Sequence, residues 1–163
     1  MRLNRLMHAL RDRKEWLKGG FAFSASILFV GALSTQCHFL ISETESLPQH
    51  YFLVFPHLKA KLHDYTLVHR PWYGGKIIKK IMGQAGDRLK WDEQGDLWVN
   101  DFKIGAAYKK SSDHRALRPI ITQVIPNHYV FLWGPHPRSF DSRYQECDLI
   151  KQSELGGWVI PLW

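Results

Sequence analysis

The sequence predicts a mostly β domain that follows one N-terminal transmembrane helix. A basic segment opens the chain, an uncharged apolar segment follows it, and short apolar runs separated by turn residues fill the remainder. A length of 163 residues is enough for one compact domain and little more. The predicted organisation is a cytoplasmic tail (1–18), a transmembrane anchor (19–41) and an extracytoplasmic domain (42–163).

The positive charge of the chain is concentrated at its N-terminus. The net charge is +7, and residues 1–18 hold six Lys or Arg against two Asp or Glu. The remaining charge is spread out and forms no long basic run, which argues against nucleic acid as a partner. The positive-inside rule instead predicts a cytoplasmic N-terminus.

The anchor is predicted from Gly19 to Ile41, a run of 23 residues without Asp, Glu, Lys or Arg. About 20 apolar residues span a bilayer core as a helix, so the lipid bilayer is an expected partner. A cleavable signal peptide, a lipoprotein site at Cys37 and a buried core helix are alternatives. No small-residue cleavage site follows, Gln36 precedes the cysteine, and 23 uncharged residues are long for a core helix. Cys147 lies in the outer domain, and its pairing with Cys37 is left open, with free thiols favoured.

The outer domain is predicted to form a curled sheet or barrel-like core because apolar runs alternate with turn residues. The segment Tyr108–Pro119 is polar and is predicted to be a surface loop. Seven strands are expected, at Tyr51–Phe55, Thr66–His69, Ile77–Gly83, Leu97–Val99, Phe102–Ile104, Tyr129–Trp133 and Trp158–Leu162.

Three segments carry residue types suited to nucleophilic catalysis. Ser46 follows the apolar segment, although serine-rich linkers are common at surfaces. Lys79 enters an apolar strand, where burial lowers the pKa of an amine and allows it to act as a general base; two solvated lysines on an edge strand are the alternative. Asp141 and Arg143 are two residues apart and could pair, as such residues often do near turns.

In this order, the segments resemble those of the type I signal peptidase family and, within it, the conjugative-transfer branch. Residues 46–48 with Tyr51 resemble the nucleophile segment, and residues 62–68 resemble the Gly-Asp-x-Val-x-Val strand. Residues 79–87 match four positions of the lysine block, and residues 139–144 match the Ser-x-Asp-Ser-Arg-Tyr block throughout. Departures such as Ala85 in place of proline remove no catalytic group.

The resemblance implies a role for each site residue. Ser46 would be the nucleophile and Lys79 the general base, with Ser139 orienting the lysine amine. Thr44 would donate its hydroxyl to the oxyanion beside the Ser46 N–H. Asp141 and Arg143 would form a supporting ion pair. No cofactor is implied. The histidines have no paired spacing typical of a metal site, and a Ser-His-Asp arrangement is disfavoured.

The resemblance also implies a function, that of a membrane-anchored serine endopeptidase of the inner membrane with a periplasmic catalytic domain. Its partners would be precursor proteins with leader peptides, such as pro-pilin or pilus-assembly proteins. A housekeeping signal peptidase and a non-catalytic, membrane-tethered pilus-assembly scaffold are the alternatives. The sequence leaves open the precursor, the oligomeric state, and whether water or an amine resolves the acyl-Ser46 intermediate, the amine giving a cyclised subunit.

Overall fold

The computed structural model describes residues 24, 31, 36–42, 47–70, 75–111 and 114–162. The chain divides into two units, residues 1–37 and 38–163, and the fold below is that of the second. Among the described residues, no helix has the length and apolar character needed to cross a membrane.

The second unit is built from antiparallel strands in two sheets, which confirms the mostly β fold class. A seven-stranded sheet has the order β1-β2-β10-β3-β4-β8-β9, and a three-stranded sheet has the order β5-β6-β7. The strands are β1 (His38–Ile41), β2 (Tyr51–Phe55), β3 (Tyr65–Arg70), β4 (Gly75–Gln84), β5 (Leu89–Trp91), β6 (Asp96–Val99), β7 (Phe102–Ala106), β8 (Tyr129–Trp133), β9 (Ile150–Lys151) and β10 (Leu155–Pro161).

The sequence predicts β2 and β8 with the bounds that the structure has, and it predicts shorter versions of β3, β4, β6 and β7. Strand β10 begins three residues earlier than predicted and ends one residue earlier. The sequence misses β1, β5 and β9, which have four, three and two residues. Runs this short carry little periodicity and depend on pairing with a neighbouring strand. The described part of the predicted loop at 108–119 contains bridges but no named strand.

The predicted end of the anchor at Ile41 is corrected by strand β1. His38–Ile41 pairs residue by residue with Tyr51–Val54 of β2, so these four residues are extended rather than helical. Hydropathy alone cannot distinguish them from the apolar run before them, because the pairing partner lies beyond the segment. Apart from residues 24, 31, 36 and 37, the rest of the predicted anchor and all of the tail lie outside the described residues.

Three apolar clusters fill the unit. The cluster that positions the site contains Val68 of β3, Ile81 of β4 and Leu132 of β8, with Cys147 and Ile150 packed against them. Because side chains alternate along a strand, Ile77 and Ile81 lie on the same face of β4, and both contact this cluster. The residue midway between them, Lys79, therefore points into an apolar layer.

The end of β4 explains the glycines of the lysine block. A Cβ on Gly83 would lie 2.6 Å from Cδ1 of Ile125, at the point where the pairing of β4 with β8 shifts register. Gly86 has a φ of +89°, a left-handed conformation that glycine adopts without strain. The Asp87 carboxylate accepts the backbone N–H of Gln84 at 2.8 Å and closes the turn. These three residues have a structural role.

Candidate active site

Lys79 is almost completely buried, with 3% of its surface exposed. It lies opposite Thr66 of the neighbouring strand β3, and the buried Thr66 hydroxyl donates to the carbonyl oxygen of Gly157 at 2.8 Å. Lys80 is half-buried and its Nζ lies 6.0 Å from the centroid of the Tyr65 ring. Of the two adjacent lysines, only Lys79 is removed from water.

The ammonium of Lys79 has a single close polar partner among the described residues. Its Nζ donates a hydrogen bond to the Ser139 Oγ at 2.7 Å, and the Ser139 side chain is also buried. Burial lowers the pKa of Lys79 from 10.5 to about 8. The electrostatic interaction with Asp141, and to a lesser extent that with Cys147, raises this pKa and so opposes the effect of burial. The positive charge of Arg143 lowers it slightly further. The structure therefore brings the predicted base and its predicted orienting residue into contact.

Asp141 and Arg143 form a buried ion pair in the loop that carries Ser139. The Arg143 Nε donates to the Asp141 Oδ1 and the Nη2 donates to the Oδ2, both at 2.9 Å. The carboxylate also accepts the backbone N–H of Gly134 at 3.0 Å. Burial lowers the pKa of Arg143, but the hydrogen bonds and charge of Asp141 outweigh burial and raise it above its ordinary value. The attraction between the two charges and their hydrogen bonds offset the cost of removing each of them from water.

Arg143 also fixes the backbone around Ser139. Its Nη2 donates to the carbonyl oxygens of His136 and Ser139 at 3.3 and 3.2 Å, so the guanidinium bridges two points of the loop. The hydroxyl of Ser142 adds a link to β8, since it accepts the N–H of Leu132 at 3.1 Å and donates to the carbonyl oxygen of Asp148 at 2.8 Å. The loop is thereby held in the position from which Ser139 reaches Lys79.

Two contacts that sequence reasoning missed join this loop to the end of β7 and to the residues just after it. The Arg143 Nη1 donates to the carbonyl oxygen of Ala106 at the end of β7 at 3.1 Å. The Tyr144 hydroxyl accepts the N–H of Tyr108 at 3.1 Å. No local signal could have revealed either contact, because each joins backbone near residue 107 to a side chain some 36 positions away. Thr66 and Cys147 were also missed as neighbours of Lys79.

The proposed nucleophile Ser46 and oxyanion donor Thr44 lie in residues 43–46, outside the described residues. The residues on either side of this segment, Ser42 and Leu47, have defined contacts with the rest of the second unit. The N–H of Ser42 donates to the carbonyl oxygen of His50 at 2.8 Å, and Leu47 is buried in the apolar cluster formed with Phe52.

Other polar residues near the loop that carries Ser139 have contacts of their own. His136 contributes its backbone oxygen to Arg143, and its ring Nδ1 accepts the N–H of Arg138 at 3.2 Å. Within the described residues, no disulfide is present at Cys37 or Cys147. Within the described part of the chain, no three His, Cys, Asp or Glu side chains are grouped as metal ligands would be.

Comparison with known protein families identifies the class to which the chain belongs. The family described as "Signal peptidase, peptidase S26" matches residues 13–163, so the chain belongs to this family of serine peptidases. Its members are membrane-associated and act on precursor proteins with leader peptides. No curated protein matches the chain. A crystal structure of a signal peptidase I from Enterococcus faecalis V583 is similar, with a TM-score of 0.43 and 21% identity over 61% of this chain and 96% of that chain.

Proposed function

We propose that this chain is a membrane-anchored serine endopeptidase that removes leader peptides from exported precursors with a dyad of Ser46 and Lys79. The observation that carries the proposal is the burial of Lys79, with a pKa lowered to about 8 and an amine held by Ser139 at 2.7 Å. An amine with this pKa is partly neutral near neutral pH and can accept a proton. A solvated lysine would be almost fully protonated under the same conditions.

In the proposed reaction, the neutral Lys79 Nζ takes the proton of the Ser46 hydroxyl while Oγ attacks the scissile carbonyl carbon. The C–N bond then breaks, and the protonated Lys79 gives its proton to the leaving amine of the mature protein. The leader remains as an ester on Ser46. Lys79 next deprotonates a water molecule that attacks this ester, and the leader leaves with a free carboxylate while Ser46 regains its proton.

The supporting residues have separate tasks. Ser139 orients the Nζ lone pair toward the nucleophile, and the Asp141–Arg143 pair holds the loop that carries Ser139. The Thr44 hydroxyl and the Ser46 N–H would donate to the oxyanion of the tetrahedral intermediate, where charge develops only as the bond forms.

We further propose that the precursors are conjugative pilin or pilus-assembly proteins. The support is the resemblance of residues 46–48 with Tyr51 to the nucleophile segment of the conjugative-transfer branch. Cyclisation requires the subunit itself to be the acyl group. If the enzyme cuts a C-terminal segment from the subunit, the new C-terminal carbonyl carbon is held as an ester by Ser46, and attack by the subunit's own N-terminal amine in place of water releases Ser46 and gives a cyclic product lighter by one water molecule than the hydrolysed one. Mass spectrometry of the mature subunit distinguishes the two outcomes. A housekeeping signal peptidase would instead cleave unrelated exported precursors as efficiently as pilin.

The proposed location is the inner membrane, with the N-terminus inside and the peptidase domain in the periplasm. The uncharged run that precedes β1, residues 19–37, has close to the roughly 20 residues that a spanning helix needs. Beyond it, Phe39 and Ile41 of β1 are each 60% exposed, and the Phe39 ring stacks on the exposed Tyr51. An exposed apolar face directly after the anchor suits contact with lipid. A reporter fused after Trp163 should be active only in the periplasm; activity in the cytoplasm would contradict this topology.

The dyad is tested with full-length variants and a pilin precursor. Ser46→Ala and Lys79→Ala should each abolish processing, whereas Lys80→Ala should retain it because this neighbour faces the opposite side of β4. Full activity in Lys79→Ala would refute the proposal. The scaffold alternative makes the opposite prediction, since Ser46→Ala would then support pilus assembly as well as the parent does.

A further inference from the structure

A cavity of about 990 Å³ lies within the second unit and is separate from the dyad. It is open to solvent on one side and is lined by the loop 56–62 that follows β2, the start of β8, and the segment 151–155 that leads into β10. Its apolar lining includes Leu62, Ile81 and Val130, while neither Lys79 nor Ser139 lines it. Nothing in the proposed peptidase mechanism uses this cavity.

The polar lining of the cavity is basic. Five exposed side chains that carry or can accept a positive charge surround it, and none of its lining residues is Asp or Glu; the five are His57, Lys59, Lys61, His128 and Lys151. The carboxylate of Asp64, three residues after Lys61, accepts the backbone N–H of Lys61 rather than a hydrogen bond from its ammonium. Across the described residues, the ammonium groups of the three lysines form no ion pair with a carboxylate.

One exposed apolar residue stands between two of these basic residues. Leu58 is 50% exposed, although both of its backbone groups are fixed: its N–H donates to Phe55 and its carbonyl oxygen accepts from Trp158. The loop is thus held in a conformation that presents leucine between His57 and Lys59. Apolar residues flanked by cations are typical of protein surfaces that contact anionic lipid.

We propose that this cavity binds an anionic phospholipid, with the phosphate at the three lysines and the first part of an acyl chain against Leu62, Ile81 and Val130. The volume is at the upper end of the range of small-molecule sites, about 300–1,000 Å³, so a phosphate ion alone would leave most of it unfilled. The charge complementarity selects an anion, and the apolar lining selects one with a hydrocarbon portion. A phospholipid has both, and it is available to a protein of a membrane-associated family.

The test uses the full chain in a mild non-ionic detergent, titrated with phosphatidylglycerol or with phosphatidylcholine of the same acyl composition. Native mass spectrometry counts the lipids retained by each chain. We expect one phosphatidylglycerol per chain and no retained phosphatidylcholine. Equal retention of the two lipids would overturn the proposal.

Matched variants separate a defined site from general electrostatic attraction. Replacing Lys59, Lys61 and Lys151 together by glutamine should weaken retention roughly 100-fold, since each lysine near an anionic lipid contributes about fivefold. The control replaces three exposed lysines away from the cavity, Lys90, Lys109 and Lys110, and should change it less than about twofold. Equal weakening in both triple variants would refute a defined site. Leu58→Asn keeps every charge and should also weaken retention, and an unchanged affinity would contradict the apolar contribution.

Competition distinguishes the lipid from other anions. Glycerol phosphate and inorganic phosphate lack acyl chains and should fail to displace phosphatidylglycerol at equal concentration, as should an acidic peptide. Displacement by any of them would overturn the lipid assignment. Precursor cleavage is measured on the same preparations, so loss of the dyad chemistry with normal lipid retention would refute the proposed function and leave the lipid site standing.

Discussion

Replacing Lys79 with methionine is expected to abolish peptide cleavage and to stabilise the folded domain. The ordinary pKa of lysine, 10.5, applies to the unfolded chain, whereas burial lowers the folded value to about 8. Between these values the unfolded state binds more protons than the folded state, so stability rises with pH over this interval. Below pH 8 both states are protonated, and the full cost of burying the ammonium is present.

The magnitude follows from the two pKa values. Lowering a pKa from 10.5 to about 8 corresponds to about 3 kcal/mol of lost stability at pH 7. Methionine fills a similar volume without charge and removes this cost. It also removes the hydrogen bond to Ser139, which offsets about 1 kcal/mol of the gain. We therefore expect a net stabilisation of about 2 kcal/mol at pH 7.

The assay is thermal unfolding of the full chain in mild detergent, followed by near-ultraviolet circular dichroism. A gain of this size should raise the Tm by about 4–8 °C at pH 7. The gain should vanish near pH 11, where the unfolded lysine is also neutral. Lys80→Met is the matched control, and it should show no comparable gain because Lys80 is not desolvated in the same way. If Lys79→Met melts no higher than the parent at pH 7, or keeps its advantage at pH 11, a desolvated lysine is the wrong explanation.

Three further predictions concern activity and the buried ion pair. The kcat/KM for a precursor peptide should rise with pH and reach half its maximum near pH 8, because only the neutral amine of Lys79 accepts a proton; a flat profile from pH 6 to 9 would contradict this. Thr44→Ser should retain activity while Thr44→Val lowers kcat by about 10²-fold, and equal activity of the two would exclude an oxyanion role. Asp141→Asn should destabilise the domain by about 3–5 kcal/mol in a denaturant titration, because Arg143 loses its buried partner. Glu146→Gln, which removes an exposed ion pair, should cost less than about 1 kcal/mol, and equal costs would argue against this account.

The sequence by itself determined the features that depend on nearby residues. Strands β2 and β8 are five-residue apolar runs bounded by turn residues, so the local pattern is sufficient to define them. The turn at Gly86 and Asp87 is closed by two local bonds between Gln84 and Asp87, although Ile125 adds contacts from further along the chain. The Asp141–Arg143 pair joins residues two positions apart. Each of these features depends on residues that lie within a few positions of one another, so residue type and spacing are enough to predict it.

Tertiary structure decided the features that depend on distant parts of the chain. Strands β1, β5 and β9 are too short to have a recognisable period and exist through their pairing with β2, β6 and β8. The choice of Lys79 over Lys80 as the buried amine depends on the register of β4 and on Ser139, sixty positions later in the chain. The local sequence offers two adjacent lysines, and only the resemblance to the family favours Lys79 as the base. Only packing removed water from one of them, and loss of that water is what lowers its pKa.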